Sequence, residues 1–366
     1  MPTVAFDSGP LHGPATGIAR ATAELLQRLQ ASDEVSVVPY VLSFRASLSA
    51  DTRRLPLPAR PALELWGRFG RPRVDHRLDG ADLVHGTNYV VPPSRRPRLV
   101  SVYDCWALEN LGRVHADVRA AMRVLRRSID EGAHVHASSH ATAERLRGHF
   151  PDCDVTVVHL GDLTVLSRGP TEGADIPKEL VGGSPYVVSI GTRERRKNLA
   201  TLVRAFGAVA AAHSDVRLVL AGGAGDDDPV IDAAIANLDA DARDRVVVLG
   251  RVSDATATWL LDRAAVLAYP SLDEGFGFPL LEAMAHGTPI VASRVGSIPE
   301  VAGDAALLVG ATETDAWSEA IIRLLTDSEL VGDLIARGTA QRQQFSWERT
   351  TKQMIELYRR VAASGS

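Results

Sequence analysis

Glu274-Gly-Phe-Gly-Phe-Pro-Leu-Leu-Glu282 sets two carboxylates either side of a glycine-rich turn. The run AVLAYPS at 265–271 leads straight into it and reads as a buried strand. Pro279 suits the start of a helix, because it has no N–H to waste and its φ is already helical. Gly287 suits the left-handed position that closes the same helix. Glu274 is therefore expected in the loop at the carboxyl end of a strand, and Glu282 about one turn into the next helix. Gly275 and Gly277 let backbone N–H groups come close to a ligand at a helix N-terminus, which favours an anion. Carboxylates repel phosphates but accept hydrogen bonds from hydroxyls. A polyhydroxylated ligand bearing a phosphate would use both halves of the motif.

Around this stretch, strand and helix alternate. Short apolar, β-branched runs fall at 186–190, 216–221, 245–249, 266–269 and 289–292, with helical patterns at 198–213, 230–238, 255–263 and 279–285. Strands of four to six apolar residues with helices between them predict a parallel sheet covered on both faces, doubly wound with right-handed crossovers. The first half repeats the plan less regularly. Strands are expected at 3–6, 35–40, 83–85, 99–103, 134–137 and 155–158, with a Gly/Pro loop at 8–16 and a helix at 17–29. The segment 43–78, rich in arginine and proline, shows no sheet character.

Residues 164–185 read as a linker between an N-terminal domain, 1–163, and a C-terminal domain, 186–345. A last helix at 346–366 is placed to pack back on the first domain. The fold class is α/β, two Rossmann-like doubly wound domains facing a cleft where ligands bind.

The chain has 366 residues, 45% hydrophobic and 23% charged, enough for two substantial cores. A net charge of −5 argues against a general nucleic-acid binder. Cys105 and Cys153 make no metal-ligand spacing, and no disulfide between them is expected. With no signal-like leader and no long apolar run, a cytoplasmic protein is expected.

After the strand at 186–190 come Gly191-Thr192 and then Arg193-Glu194-Arg195-Arg196-Lys197-Asn198. Clustered cations at the carboxyl edge of a sheet make an anion clamp, since arginine binds phosphate oxygens bidentately and lysine adds a point charge. Arg196 and Lys197 are the candidates, with Arg193 and Arg195 left to solvent. The alternative is a solvated basic turn, as most charge runs are.

Gly222-Gly223-Ala224-Gly225 fails the dinucleotide pattern, because its third glycine position falls on Asp228, and reads as a tight turn. Asp152-Cys-Asp154 and Asp226-Asp-Asp228 also read as turns and not as metal sites. His85 closes a short strand and divides evenly between a cleft residue and a structural one. The stretch 61–78 (PALELWGRFGRPRVDHRL) mixes Trp66 and Phe69 with arginines and reads as a surface loop, with peripheral membrane contact as its other use.

Together, Glu-Gly-Phe-Gly-Phe-Pro-Leu-Leu-Glu-Ala-Met-Ala, the following Gly-Thr-Pro-Ile-Val-Ala-Ser, the clamp, and Gly250-Arg251-Val252-Ser253 resemble the nucleotide-sugar site of retaining glycosyltransferases. The family is the two-domain GT-B type often numbered family 4 (glycosyl transferases group 1), which includes bacterial mannosyl- and glucosyltransferases. The resemblance is strong over 186–309 and weaker over the first half.

It implies that Glu282 holds the donor ribose, and that Glu274 accepts hydrogen bonds from the transferred sugar. It also implies that Gly275, Phe276 and Gly277 contact sugar and diphosphate, and that Val252 lies near the base. Arg196 and Lys197 would neutralise the leaving diphosphate in place of a metal. No cofactor beyond the nucleoside diphosphate sugar is implied.

Thr16-Gly17-Ile18-Ala19-Arg20 resembles members that make surface polysaccharides, which adds Gly17 as a donor contact and favours mannose from GDP-mannose. The acceptor would be a hydroxyl of a glycan, a lipid-linked sugar or a small molecule. One departure is that Tyr103-Asp104 stands where many relatives carry His-Asp. Tyrosine cannot reproduce the histidine's proton chemistry, so either the histidine is dispensable here, or the acceptor differs, or His85 compensates; Asp104 is a further cleft residue. Rival readings are a nucleotide-sugar epimerase or hydrolase of the same fold, and a catalytically silent partner subunit.

Overall fold

A computed structural model describes residues 1–13, 16–44, 46–48, 50–163 and 174–364. The chain divides into two compact units, Met1–Gly161 with Phe345–Ser366, and Asp162–Gln344.

The first unit carries a seven-stranded sheet of β1 (Thr3–Asp7), β2 (Ser36–Leu42), β3 (Arg53–Leu55), β4 (Leu83–Gly86), β5 (Arg98–Val102), β6 (His134–Ala137) and β7 (Val155–Val157). Its order is β3-β2-β1-β4-β5-β6-β7 and every pairing is parallel. Val4, Phe6, Leu83, Val84, Leu99, Val100 and Val135 are fully buried. Helices cover both faces of a parallel sheet, so its central strands read as unbroken apolar runs.

The second unit carries β8 (Tyr186–Ile190), β9 (Arg217–Ala221), β10 (Val246–Gly250), β11 (Val266–Tyr269), β12 (Ile290–Ser293) and β13 (Leu307–Val309). Their order is β10-β9-β8-β11-β12-β13, again all parallel. Strand order reverses between β1 and β4 in one sheet and between β8 and β11 in the other. Such switch points leave a crevice at the carboxyl ends of the strands, where ligands bind in open α/β sheets.

The segment 43–78 departs from its expectation. It holds β3 and a helix, Ala59–Phe69, which ends at Gly70 with φ 60°. Gly70 closes this helix as a left-handed cap and so defines it. Trp66 explains why the helix forms: it is 1% exposed, and its indole N–H donates to the Pro72 carbonyl at 3.1 Å. Burying such a side chain contributes several kcal/mol, on the order of 3–5 for Trp→Ala, which outweighs the modest propensity of a proline-flanked segment.

The last helix, Trp347–Ala363, belongs to the first unit. Thr350 donates to the His159 carbonyl at 2.7 Å, and Arg28 pairs with Glu348 at 2.8 Å. Its Tyr358, fully buried, reaches His85 Nδ1 at 2.9 Å. A side chain at Gly161 would lie 2.4 Å from the Trp347 ring, so glycine there lets the helix seat. Cys105 and Cys153 are not joined in a disulfide. Among the described residues, no helix is long and apolar enough to cross a membrane.

Candidate functional site

The switch point of the second sheet brings two turns together. Leaving β8, the chain runs through Gly191 and Thr192 into a single 3₁₀ turn, Arg195–Lys197. Asn198 ends that turn with φ 53°, a left-handed conformation that asparagine tolerates. Its side chain donates to the carbonyls of Pro270 (3.0 Å) and Ala311 (2.7 Å) and accepts from the Thr201 hydroxyl (2.8 Å). Leaving β11, the chain passes Ser271, Leu272 and Asp273 to Glu274. The Leu272 N–H donates to the Arg196 carbonyl at 2.7 Å, and Arg196 Nη1 donates to the Asp273 carbonyl at 2.9 Å. The two turns are stitched through both backbone and side chain.

Glu274 is the centre of this arrangement and is 7% exposed. Its Oε1 accepts from Lys197 Nζ at 2.5 Å and from Ser271 Oγ at 2.7 Å. Its Oε2 lies 2.8 Å from Arg196 Nη1. The Tyr269 hydroxyl accepts from Lys197 at 3.0 Å. Burial alone would raise the Glu274 carboxyl, but Lys197 and Arg196 outweigh it and bring it down to about 2. Burial lowers Lys197, with Glu274 pulling the other way. In the buried contact two cations face the Glu274 carboxylate, with Glu194 4.0 Å from Arg196 at its edge, and such cations suit an anion.

The glycine turn is held from below. Ser297 N–H donates to the Glu274 carbonyl at 3.0 Å, and Ser297 Oγ lies within 3.0 Å of that carbonyl and 2.9 Å of the Phe276 carbonyl. A side chain on Gly296 would come within 2.5 Å of the Glu274 carbonyl. Gly277 has φ 105° and leads into the helix Phe278–His286, with Pro279 in its first turn; Gly287, φ 65°, closes it. Phe276 is buried edge-on to Phe278 at 5.1 Å. Glu282 is half-buried on this helix, one turn in, and Val252 is half-buried on the turn after β10.

Glu274, Arg196 and Lys197 therefore converge, with Gly275, Phe276 and Gly277 on the same turn. Gly17 and Asp104 belong to the first unit. Gly17 starts the helix Gly17–Gln30, whose first turn is capped by Thr16 Oγ1 accepting from the Ala19 N–H at 3.2 Å. Asp104 follows β5, and its carboxylate accepts from the Trp106 N–H at 3.0 Å.

Three expectations need correction. Arg193 is not left to solvent: it pairs with Asp228 through Nε (2.7 Å) and Nη2 (3.2 Å) and donates to the Gly222 carbonyl at 3.1 Å. It locks the β8 and β9 turns together, and this same pair explains what Asp228 does.

His85 is structural and no substitute for the missing histidine. It is fully buried on β4, with Nδ1 on Tyr358 and Nε2 on Ser101 Oγ at 2.8 Å. Ser101 Oγ continues to His136 Nδ1 (2.8 Å), and His136 Nε2 to the Val158 carbonyl (3.0 Å). A carbonyl only accepts, so His136 Nε2 donates. The polarity of the whole chain then follows: Tyr358 donates to His85, His85 to Ser101, and Ser101 to His136. Burial holds both rings below the usual histidine range, His136 at about 4, so both stay neutral.

The stretch 61–78 is not a surface loop, and Trp66, its strongest anchor for a membrane, is in the core. Leu65 and Phe69 stay exposed beside Arg71, Arg73 and Arg95 around an open hollow of about 750 Å³. Tyr103 is 7% exposed, and burial pushes its hydroxyl up to about 12, so it offers no proton chemistry near neutrality.

Tyr269, Ser271, Asn198 and Ser297 were missed by the sequence reading. Tyr269 and Ser271 carried a signal, as hydroxyls at the end of an otherwise apolar strand just before a carboxylate. Ser297 lies 23 residues from Glu274 and carried none.

The family model described as "Glycosyl transferases group 1" matches residues 184–327. The chain is 31% identical to the O-antigen chain mannosyltransferase B of Escherichia coli, over 97% of this chain and 99% of that protein. It is 33% identical to the phosphatidyl-myo-inositol mannosyltransferase of Mycolicibacterium smegmatis, over 47% and 44% of the two chains. Among solved structures, sucrose-phosphate synthase from Thermosynechococcus elongatus shares the fold with a TM-score of 0.73 at 19% identity, over all of both chains.

Proposed function

We propose that this chain, which belongs to the glycosyl transferases group 1 family and is a glycosyltransferase of GT-B fold, moves mannose from GDP-mannose to a hydroxyl of a glycan acceptor. Transfer proceeds with retention and without a metal. The observation that carries the reading is the convergence of Arg196, Lys197 and Glu274 at the switch point of the second sheet, beside a glycine turn that opens a helix. The names of the two mannosyltransferase relatives support mannose, and that of the first supports a polysaccharide acceptor.

In this reading the diphosphate lies on Arg196 and Lys197 and on the N–H groups of Gly275, Phe276 and Gly277. As the glycosidic bond breaks, negative charge grows on the leaving phosphate, and the two fixed cations stabilise it without reorganising. Glu274 accepts from hydroxyls of the transferred sugar and so orients the ring. Its depressed pKa keeps it ionised and unable to act as a general acid. Glu282 accepts from the ribose, and Val252 packs near the base. The leaving phosphate takes the acceptor proton on the face it departs from, which gives retention with no carboxylate nucleophile.

The test is transfer from GDP-mannose to mannosyl glycosides with EDTA present, for the native chain and for Glu274→Ala. The expected result is turnover in EDTA that the substitution abolishes. Unchanged turnover in Glu274→Ala, or turnover that requires Mn²⁺, overturns the assignment.

A further inference from the structure

In the ligand-free chain Glu274 already holds the cations that a diphosphate would need. Lys197 Nζ and Ser271 Oγ fill its Oε1, and Arg196 Nη1 fills its Oε2. Arg196 Nη1 is shared again with the Asp273 carbonyl. A diphosphate arriving on these cations draws the same donors away and sets its own negative charge beside a carboxylate that is 7% exposed. A buried carboxylate that loses donors costs free energy unless new donors arrive. The hydroxyls of a transferred sugar are such donors. A nucleoside diphosphate without its sugar keeps only its ribose hydroxyls, which this reading places on Glu282 and not on Glu274.

From this we infer that Glu274 sets the preference of the site between substrate and product: it favours the sugar nucleotide and expels the nucleoside diphosphate once the sugar has left. The inference rests on the sugar-nucleotide reading of the site and goes beyond it. Glu274 is then a residue that speeds product release as well as one that orients the sugar. Its removal should tighten the product complex while weakening the donor complex. The structure gives this an electrostatic cause, because Lys197 and Arg196 regain their full charge toward phosphate when the carboxylate is gone.

The experiment is calorimetric titration of the full chain and of Glu274→Gln with GDP, UDP and dTDP, with GDP-mannose and UDP-glucose, and with inorganic pyrophosphate. The native chain should bind its sugar nucleotide more tightly than the matching nucleoside diphosphate. In Glu274→Gln the nucleoside diphosphate and pyrophosphate should bind about tenfold more tightly, the scale of one charge-assisted hydrogen bond no longer forfeited, and the order of the two ligands should reverse. Nucleoside diphosphate affinity that is unchanged or weaker in Glu274→Gln overturns the inference. Should Glu274→Gln not fold, the native chain decides alone: a nucleoside diphosphate bound as tightly as its sugar form, or more so, overturns it. Failure of the native chain to bind any of these nucleotides sinks the sugar-nucleotide reading itself, a different result from binding without preference.

Discussion

Lys197 Nζ lies 2.5 Å from Glu274 Oε1, and this contact joins the turn after β8 to the turn after β11. The two residues are 77 apart in sequence, yet each is largely removed from solvent at the point where strand order reverses. Each charge stabilises the other there, with Arg196 Nη1 2.8 Å from the second carboxylate oxygen. The pair is a structural staple between the two turns, and in the proposed function it is also the binding device.

Lys197→Met should therefore destabilise the second unit by ~3 kcal/mol, because it leaves a buried carboxylate short of its main partner. Combining it with Glu274→Gln should cost much less than the sum of the single changes. Urea denaturation of the two single variants and the double variant measures the coupling. Additive effects would show that the pair is not coupled.

Gly222 and Gly223 are neighbours with opposite constraints. A side chain on Gly222 would lie 1.7 Å from the Gly191 carbonyl, whereas one on Gly223 meets nothing nearer than Arg251 Nε at 4.0 Å. Gly222→Ala should push away the turn that leads into Arg195–Lys197, with a stability loss above ~2 kcal/mol and, on the proposed function, loss of nucleotide binding. Gly223→Ala should leave both within error. Equal tolerance of the two substitutions in thermal melts would contradict this packing.

Asp7 ends β1 at the switch point of the first sheet, with Oδ1 accepting from the Gly9 N–H at 2.8 Å. Burial raises its carboxyl to about 7, against the bonds from Gly9 and Thr87. Among the described residues, no cation pairs with it. A folded-state pKa raised above the unfolded one means that its neutral form suits the fold. Its stabilising contribution is complete below about pH 4 and lost as pH rises through 7. Asp7→Asn should thus gain stability relative to the native chain between pH 5 and pH 8, on the order of 2 kcal/mol at the upper end. Identical pH profiles in chemical denaturation would refute this.

Which parts of the molecule were legible in the sequence follows from where its information is local. The strands 186–190 and 266–269 coincide with β8 and β11, because a buried parallel strand is a short apolar run bounded by glycine or proline. The turn at Glu274 was readable for the same reason: Gly277, Pro279 and Gly287 each act within their own helix. The helix Ala59–Phe69 was not, since it is secured by Trp66 packing away from solvent, a tertiary gain that outweighs its prolines. The role of Arg193 depends on Asp228, which is 35 residues away. His85 divided evenly between two readings because its partners Ser101 and Tyr358 lie on other elements, the latter 273 residues on.

The central claim is a metal-independent sugar-nucleotide site built on Lys197, Arg196 and Glu274, and ligand-induced stabilisation tests it without knowledge of the acceptor. The measurement is the melting temperature of the full chain in EDTA, with GDP-, UDP- and dTDP-sugars each in excess, for the native protein and Lys197→Ala. A ligand at about 100 times its Kd adds ~2.7 kcal/mol, which appears as a shift of a few degrees. The account predicts such a shift with one sugar nucleotide, GDP-mannose before the others, and its loss in Lys197→Ala. No shift with any donor, or a shift that appears only with a divalent metal or persists in Lys197→Ala, would contradict it.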